Sequence, residues 1–325
     1  MTSDELLRVE NLRTYFETKR GEVKAVDGVS FSLGKGRAVG LAGESGCGKT
    51  TAALSIMRLI SPPGRIAGGK ILFDGKDLVQ VTHEMMRGIR WKEISMIFQG
   101  AMNSLNPVLN VGKQIVEAIM AHENVAQEDA WERARKLLGL VGMDETRNRD
   151  YAHELSGGMR QRVMIAMALA CSPKLVIADE PTTALDVIVQ AQVLELIKDL
   201  QKKLNLSTML ISHDLSMVAE MCDTCAIMYA GKIVEYGDIE SIFLRPSHPY
   251  TKRLIASFPS IKGLKKGLET IPGAPPELIN PPAGCRFNPR CRHTMDICRK
   301  DTPDMIEIER EHFAACHLLL KREPD

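Results

Sequence analysis

Three short stretches hold the side chains best suited to chemistry, and all three fit a phosphate or the metal that travels with it. The first, GESGCGKT at 43–50, matches the pattern G-x4-G-K-[ST]. Glycines there let backbone N–H groups close around phosphate oxygens, and a helix starting at that point adds the positive end of its dipole. Gly43, Glu44, Ser45, Gly46, Cys47 and Gly48 make the loop. Lys49 can reach the β- and γ-phosphates, the Thr50 hydroxyl suits Mg2+, and Thr51 can reach the α-phosphate. Cys47 reads as a small filler, since no metal-ligand spacing surrounds it. The competing explanation is a glycine-rich turn that holds no ligand.

The second stretch, KLVIADEP at 174–181, is apolar and ends in two carboxylates. Asp179 is placed to hold Mg2+ at the C-terminal end of a strand, where ligands bind in open α/β sheets. Glu180, one residue on, can polarise an attacking water. A solvated or capping acidic pair is the plainer alternative. The third stretch, ELSGGMRQR at 154–162, puts Ser156 where an N-cap belongs. Capping accounts for Ser156 but not for Gly157 and Gly158, which weaken a helix start unless something must come close. A second anion-binding helix end is therefore expected here.

The cysteines form a separate set. Four of the eight, Cys285, Cys291, Cys298 and Cys316, have five, six and seventeen residues between them. Structural zinc usually brings close C-x2-C pairs, and the tail has none. Wider spacing is compatible with an iron–sulfur cluster, whose four ligands surround a larger object. Zinc and reduced thiols or disulfides stay open as alternatives. His293, His312 and His317 could replace a ligand in a zinc site, and are otherwise solvated surface histidines. Cys171, Cys222 and Cys225 are read as packing residues.

The elements that must position these groups follow from periodicity. Residues 7–16 and 23–33 alternate apolar and polar around KRGE and read as antiparallel strands. The strand AVGLA (38–42) runs into the glycine loop and then into the helix TTAALSIMRLI. KILF (70–73) and ISMIF (94–98) read as strands, and 111–150 is helical in pattern. Past 155 come a helix, the strand KLVIAD, the helix VIVQAQVLELIKDLQKKL, and the strands TMLIS, TCAIMYA and KIVEYG. Alternation of this kind predicts a mostly parallel sheet with helices on both faces. The pattern breaks near 245, where RPSHPY leads into the proline-rich PGAPPELINPPAG, so a boundary is expected near 246.

Composition narrows the classes. The chain has 325 residues, 44% hydrophobic and 26% charged, which is ordinary for a globular protein. A formal net charge of +1 gives no global basic field to recruit nucleic acid. No apolar run approaches the ~18 residues that span a bilayer. The N-terminus MTSDELLRVENL lacks the basic-then-apolar order of a signal peptide. The expected compartment is cytosolic and reducing, which counts against disulfides in the tail.

LSGGM followed by RQR, shortly before LVIADEP, resembles the signature motif of the ATP-binding cassette (ABC) ATPases. Other motifs of that family appear in order over about 6–245: Gln99 in MIFQ is similar to its Q-loop, TTALD (182–186) with Asp186 to its D-loop, and His213 in LISHD to its switch histidine. Phe16 sits where an aromatic would stack on adenine, with Tyr15 as the alternative. Met159 stands where the family usually has Gln. That variant, SLNPVLNVG (104–112) and HPYTKRLIASFPS (248–260) are similar to the dipeptide/oligopeptide transporter subfamily.

The resemblance implies an α/β fold: a P-loop NTPase (ABC ATPase) with a RecA-like core, an antiparallel β-subdomain and an α-helical subdomain at about 100–160. These make a nucleotide-binding domain at 1–245, followed by a small Cys-rich C-terminal domain at 246–325. It implies ATP and Mg2+ as cofactors, the metal contacted by Thr50, Gln99 and Asp179, and a second cassette, identical or a paralogue, whose Ser156 and Gly158 cover the γ-phosphate. Lys49, Mg2+ and the signature helix would neutralise transition-state charge. Glu180 would be the general base, and His213 would hold γ-phosphate and water. Gln99 would couple nucleotide state to the membrane partner. Some peptide-transporter ATPases carry a similar C-terminal cysteine set and bind a [4Fe–4S] cluster.

The expected setting is thus the cytoplasmic face of the inner membrane, as a peripheral subunit working with two transmembrane permease subunits and an extracytoplasmic peptide-binding protein, without nucleic acid. Rival readings are an importer of nickel or oligosaccharides, a soluble ABC ATPase acting on DNA or the ribosome, and an iron–sulfur redox sensor regulated by ATP.

Overall fold

The computed structural model describes residues 4–100, 104–183, 185–257 and 271–321. In chain order it begins with β1 (Glu5–Thr18), β2 (Gly21–Gly34), β3 (Ala38–Ala42), α1 (Lys49–Ile56), β4 (Gly64–Phe73) and β5 (Lys76–Asp77). The middle holds α2 (His83–Ile89), β6 (Ile94–Ile97), α3 (Val111–His122), α4 (Gln127–Leu140), α5 (Gly157–Ala168), β7 (Leu175–Asp179), α6 (Val187–Leu204) and β8 (Ser207–Ser212). It closes with α7 (Leu215–Met221), β9 (Thr224–Tyr229), β10 (Lys232–Asp238), α8 (Ile239–Leu244), α9 (Pro249–Ala256), β11 (Ile306–Glu309) and β12 (His312–Ala314). Contacts group residues 1–33, 38–79 and 211–325 into one unit, and 34–37 and 80–210 into another.

The first unit contains an antiparallel sheet in the order β2-β1-β4-β5. Its strands alternate in burial because one face meets the core and the other meets water. The same unit holds the strand order β11-β12-β10-β9-β3. Here β3 pairs in parallel with β9, from Val39 opposite Thr224 to Ala42 opposite Ile227. Every residue of β3 is buried, and Gly40 keeps it close to α7: a Cβ there would lie 2.3 Å from Val218 Cγ1. The remaining pairs, β9 with β10, β10 with β12 and β12 with β11, are antiparallel. Within this unit the parallel pair is β3 with β9.

The tail joins this unit through strand pairing. Its two strands are four and three residues long, too short to show periodicity, yet β12 pairs with β10 across the boundary placed at 246. The described residues of 246–325 fall in the same unit as the N-terminal strands.

In the second unit β7 lies between β6 and β8. All residues of these three strands are buried, as strands covered on both faces must be. The helices start where capping chemistry places them: Asn110 caps α3, Ser156 caps α5 and Asp186 caps α6, each side chain accepting a backbone N–H from inside the first turn. Helices α3 and α4 fall in the stretch 104–154, where a helical subdomain is expected. Among the described residues no helix is long and apolar enough to cross a membrane.

Candidate functional site

The phosphate loop joins β3 to α1, as its spacing requires. Gly43 leaves β3 at φ +148°, and a Cβ on it would sit 2.1 Å from the Met228 carbonyl oxygen. Gly48 is the N-cap of α1 at φ +107°, and its Cβ would sit 2.1 Å from the Ala25 carbonyl oxygen. Both positions demand glycine twice over, by backbone conformation and by space. Lys49 is buried; its Nζ donates to the carbonyl oxygens of Gly43 at 2.7 Å and Glu44 at 3.1 Å, which brings the ammonium over the loop's own backbone. Ser45, Gly46 and Thr50 are exposed and Thr51 is half-buried. Cys47 is buried, and burial pushes its thiol pKa up, so it is the packing residue expected.

Phe16 pairs with Gly64 across β1 and β4, and a Cβ on Gly64 would lie 2.5 Å from Phe16 Cε1, so the half-buried ring lies against that glycine. Tyr15, the other aromatic considered, donates its hydroxyl to Asp27 at 2.7 Å. Burial and that bond push its pKa up to about 12. His213 is exposed in the turn between β8 and α7, where the Ser212 hydroxyl accepts the Asp214 N–H at 2.9 Å and Asp214 caps α7.

The second unit holds the carboxylates. Asp179 ends β7 and is buried. Glu180 follows at φ +47°, a left-handed conformation that costs a non-glycine residue roughly 1 kcal/mol. Its Oε2 accepts from Gln99 Nε2 at 2.8 Å and from the Thr183 hydroxyl at 3.1 Å. Strand pairing explains the first contact: β6 and β7 run parallel with Ile97 opposite Ala178, so the two chains leave the sheet side by side. Ser156 is exposed and accepts the Met159 N–H at 3.3 Å. Gly157 opens α5 half-buried, and a Cβ on Gly158 would lie 2.6 Å from Val189 Cγ1. What comes close to Gly158 is therefore α6 of the same chain, a packing reason that the sequence did not reveal. Asp186 caps α6 through the Val189 N–H at 3.0 Å. Ala184 of TTALD lies outside the described residues, as does 258–260 at the end of HPYTKRLIASFPS.

The four tail cysteines all line one small cavity, shared with His248, His293 and His317. All four are free thiols. Burial, reinforced by the other thiols, pushes Cys285 up to about 11 and raises Cys291 and Cys316. Among the described residues no three His, Cys, Asp or Glu side chains gather in a way that could hold one metal ion. Two of the histidines read as solvated surface groups are buried instead. His312 Nε2 lies 2.8 Å from Glu235 Oε1, and His317 Nε2 lies 2.9 Å from the Asp301 carbonyl oxygen. His293 is exposed. Cys171 and Cys225 are buried and Cys222 half-buried, and burial raises all three thiols, in keeping with packing roles.

Two residues that sequence reasoning passed over reach the phosphate loop from the tail. The Tyr250 hydroxyl accepts the Glu44 N–H at 3.0 Å. Arg290 donates to both Glu44 carboxylate oxygens, Nη1 to Oε2 at 2.6 Å and Nη2 to Oε1 at 3.0 Å. Burial works against the Arg290 charge, but its bonds to Glu44 and the Tyr229 hydroxyl outweigh it and its pKa is raised. With 246 positions separating the partners, no local pattern could signal the pair.

Comparison with known proteins gives the chain its relatives. A family model described as ABC transporter matches residues 26–183, and one described as Oligopeptide/dipeptide transporter, C-terminal region, matches 234–298. The oligopeptide transport ATP-binding protein OppD of Bacillus subtilis is 51% identical over 97% of this chain and 89% of its own. The dipeptide transport ATP-binding protein DppD of the same organism is 46% identical over 97% and 95%. Among solved structures, cbiO1 from Clostridium perfringens, part of the ABC transporter complex cbiONQ, superposes with a TM-score of 0.65 at 25% identity, covering 75% of this chain and 92% of that one.

Proposed function

The chain belongs to the ATP-binding subunits of ABC transporters, of the oligopeptide and dipeptide type, and from that premise we propose that it hydrolyses ATP to drive uptake of di- or oligopeptides. The observation that carries the catalytic part is the Glu180 carboxylate, held by Gln99 at 2.8 Å on a left-handed backbone position one residue past Asp179. A carboxylate aimed by a neighbour and standing beside a buried aspartate fits a general base next to a metal ligand.

The donor chemistry fits nucleotide and metal. ATP with Mg2+ supplies the phosphoryl group and a metal that offsets its charge. The glycine loop binds the phosphates with its backbone N–H groups, and Lys49 turns from its own loop carbonyls to the β- and γ-phosphates. Asp179, the Thr50 hydroxyl and the Gln99 amide are the oxygen donors suited to Mg2+. Glu180 takes a proton from the attacking water. His213 orients the γ-phosphate, and Phe16 stacks on the adenine. Ser156 and Gly158, at the start of α5, serve the nucleotide of a second cassette, identical or a paralogue. Asp186 lies at the start of α6, within a hydrogen-bonded turn of Val189.

Glu180→Gln tests the assignment. It keeps the Gln99 contact and removes the base, so ATP still binds while hydrolysis falls by about 100-fold or more. Turnover near the wild-type rate would remove Glu180 from the mechanism.

The wide spacing of the four tail cysteines favours a [4Fe–4S] cluster, with zinc as the alternative. One zinc ion needs its ligands around a single point, whereas a cluster takes one thiolate at each of four irons. Cys285, Cys291, Cys298 and Cys316 line a common cavity, as ligands of one shared group would. Iron and acid-labile sulfide near four each per chain after anaerobic purification are expected, on the stoichiometry of such a cluster; a colourless protein with one zinc would overturn this. The working location is the cytoplasmic face of the inner membrane, with two permease subunits and an extracytoplasmic peptide-binding protein. Family membership supports the peptide importer over nickel or oligosaccharide uptake and over a soluble ABC ATPase.

A further inference from the structure

We propose that Arg290 is a positioning residue for the nucleotide: from the cysteine-rich tail it neutralises Glu44 and holds the phosphate loop in its binding shape. The proposal rests on the nucleotide assignment of that loop and goes beyond it.

Glu44 is the second residue of a loop that must receive several negative charges. A carboxylate there opposes a polyphosphate unless a cation answers it. Arg290 does so with a bidentate fork, the strongest and most directional form of such a pair. The other polar groups of Glu44 are also held. Its N–H donates to the Tyr250 hydroxyl, and its carbonyl accepts from Lys49 Nζ at 3.1 Å and from the Cys47 N–H at 3.3 Å. The tail thus grips the residue whose carbonyl steadies the phosphate-binding lysine.

Arg290 is itself rigidly placed. Its side chain is 5% exposed, Nε donates to the Pro272 carbonyl at 2.8 Å, Nη2 to that of Gly273 at 3.1 Å, and the guanidinium lies 5.8 Å from the Tyr229 ring centre. Its backbone closes the turn Asn288–Arg290 that leads into Cys291, and Phe287, just before that turn, packs on Tyr229, Tyr250 and His248. A buried ion pair is a poor way to gain stability, because desolvation consumes most of the attraction. Its placement on the phosphate loop accounts for the pair better than folding does.

The experiment is an equilibrium titration of the full-length chain with ATP and magnesium, read by displacement of a fluorescent ATP analogue. Wild type is compared with Arg290→Met, Arg290→Lys and the double variant Glu44→Gln/Arg290→Met, and the melting temperature of each reports on folding. Arg290→Met is expected to weaken ATP by about tenfold or more and, because it strands the Glu44 carboxylate, to melt below wild type, with the double variant regaining part of that loss. Arg290→Lys recovers part of the affinity, and the double variant recovers most of it, since the unanswered carboxylate is gone.

An affinity of Arg290→Met within about twofold of wild type overturns the proposal. So does a weakened affinity that neither Arg290→Lys nor the double variant restores, which is the pattern of a loosened fold. If Arg290→Met does not fold, Arg290→Lys decides: at unchanged melting, a loss of about threefold or more supports the role and an affinity within about twofold of wild type refutes it. A wild-type chain that binds no ATP would overturn the nucleotide assignment together with this one.

Discussion

At the scale of single residues, the phosphate loop separates glycines that look alike in sequence. Gly43 and Gly46 both occupy positive φ, at +148° and +78°. At Gly43 an added Cβ would strike the Met228 carbonyl at 2.1 Å, whereas at Gly46 it would meet nothing within 4 Å. Gly46→Ala therefore carries only the conformational cost of a left-handed alanine, about 1 kcal/mol. Gly43→Ala must displace the backbone of β9 as well. Thermal melts are expected to show Gly46→Ala close to wild type and Gly43→Ala strongly destabilised; equal melting of the two would contradict this account. The pattern G-x4-G-K-[ST] marks where the loop lies, but only the neighbouring strand decides which glycine is indispensable. The same limit applies to Glu180. Its residue type and place after KLVIAD are legible, while its left-handed backbone and its bond to Gln99 depend on how β6 and β7 pair.

Elements were legible in proportion to their length and periodicity. AVGLA and VIVQAQVLELIKDLQKKL match β3 and α6 residue for residue, because an apolar strand ending in glycine and an amphipathic helix capped by Asp186 are local patterns. β11 and β12 were not legible because IEIE and HFA are too short to carry a period and owe their form to pairing, β12 with β10 and β11 with β12. Gly158 shows the same division. Two glycines after Ser156 suggested an approaching anion, yet the close neighbour at Gly158 is Val189 of α6. Gly158→Ala would overpack this helix contact at a cost of about 1–3 kcal/mol. Val189→Ala, placed in the same chain, opens the space and is expected to recover most of the lost melting temperature. If the double variant melts no higher than Gly158→Ala, the contact between α5 and α6 is not what the glycine serves.

At the scale of the whole chain, Asp27 shows how distant segments share one stability and how acid should undo it. Asp27 in β2 accepts the Tyr15 hydroxyl from β1, pairs with Lys232 of β10 at 3.7 Å, and receives a hydrogen bond from Arg286 of the tail. Burial alone would raise its carboxyl; the Tyr15 bond and the charges of Lys232 and Arg286 outweigh burial, and the net direction is down. A carboxyl depressed in the folded state binds its proton more readily when unfolded, so its contribution is complete above the unfolded value, about 4, and drains away as pH falls through the lower folded value. Asp27→Asn removes the charge that answers the buried Arg286 and is expected to cost about 2 kcal/mol at pH 7. Below about pH 4 the unfolded carboxylate takes up its proton first, so the gap between the two proteins begins to narrow, and it closes only below the lower folded value. Urea titrations of both at pH 7, 5 and 3.5 would read this directly. A gap that stays constant across the series would mean that Asp27 acts through shape alone, and a gap that widens in acid would reverse the sign assigned to its ionisation.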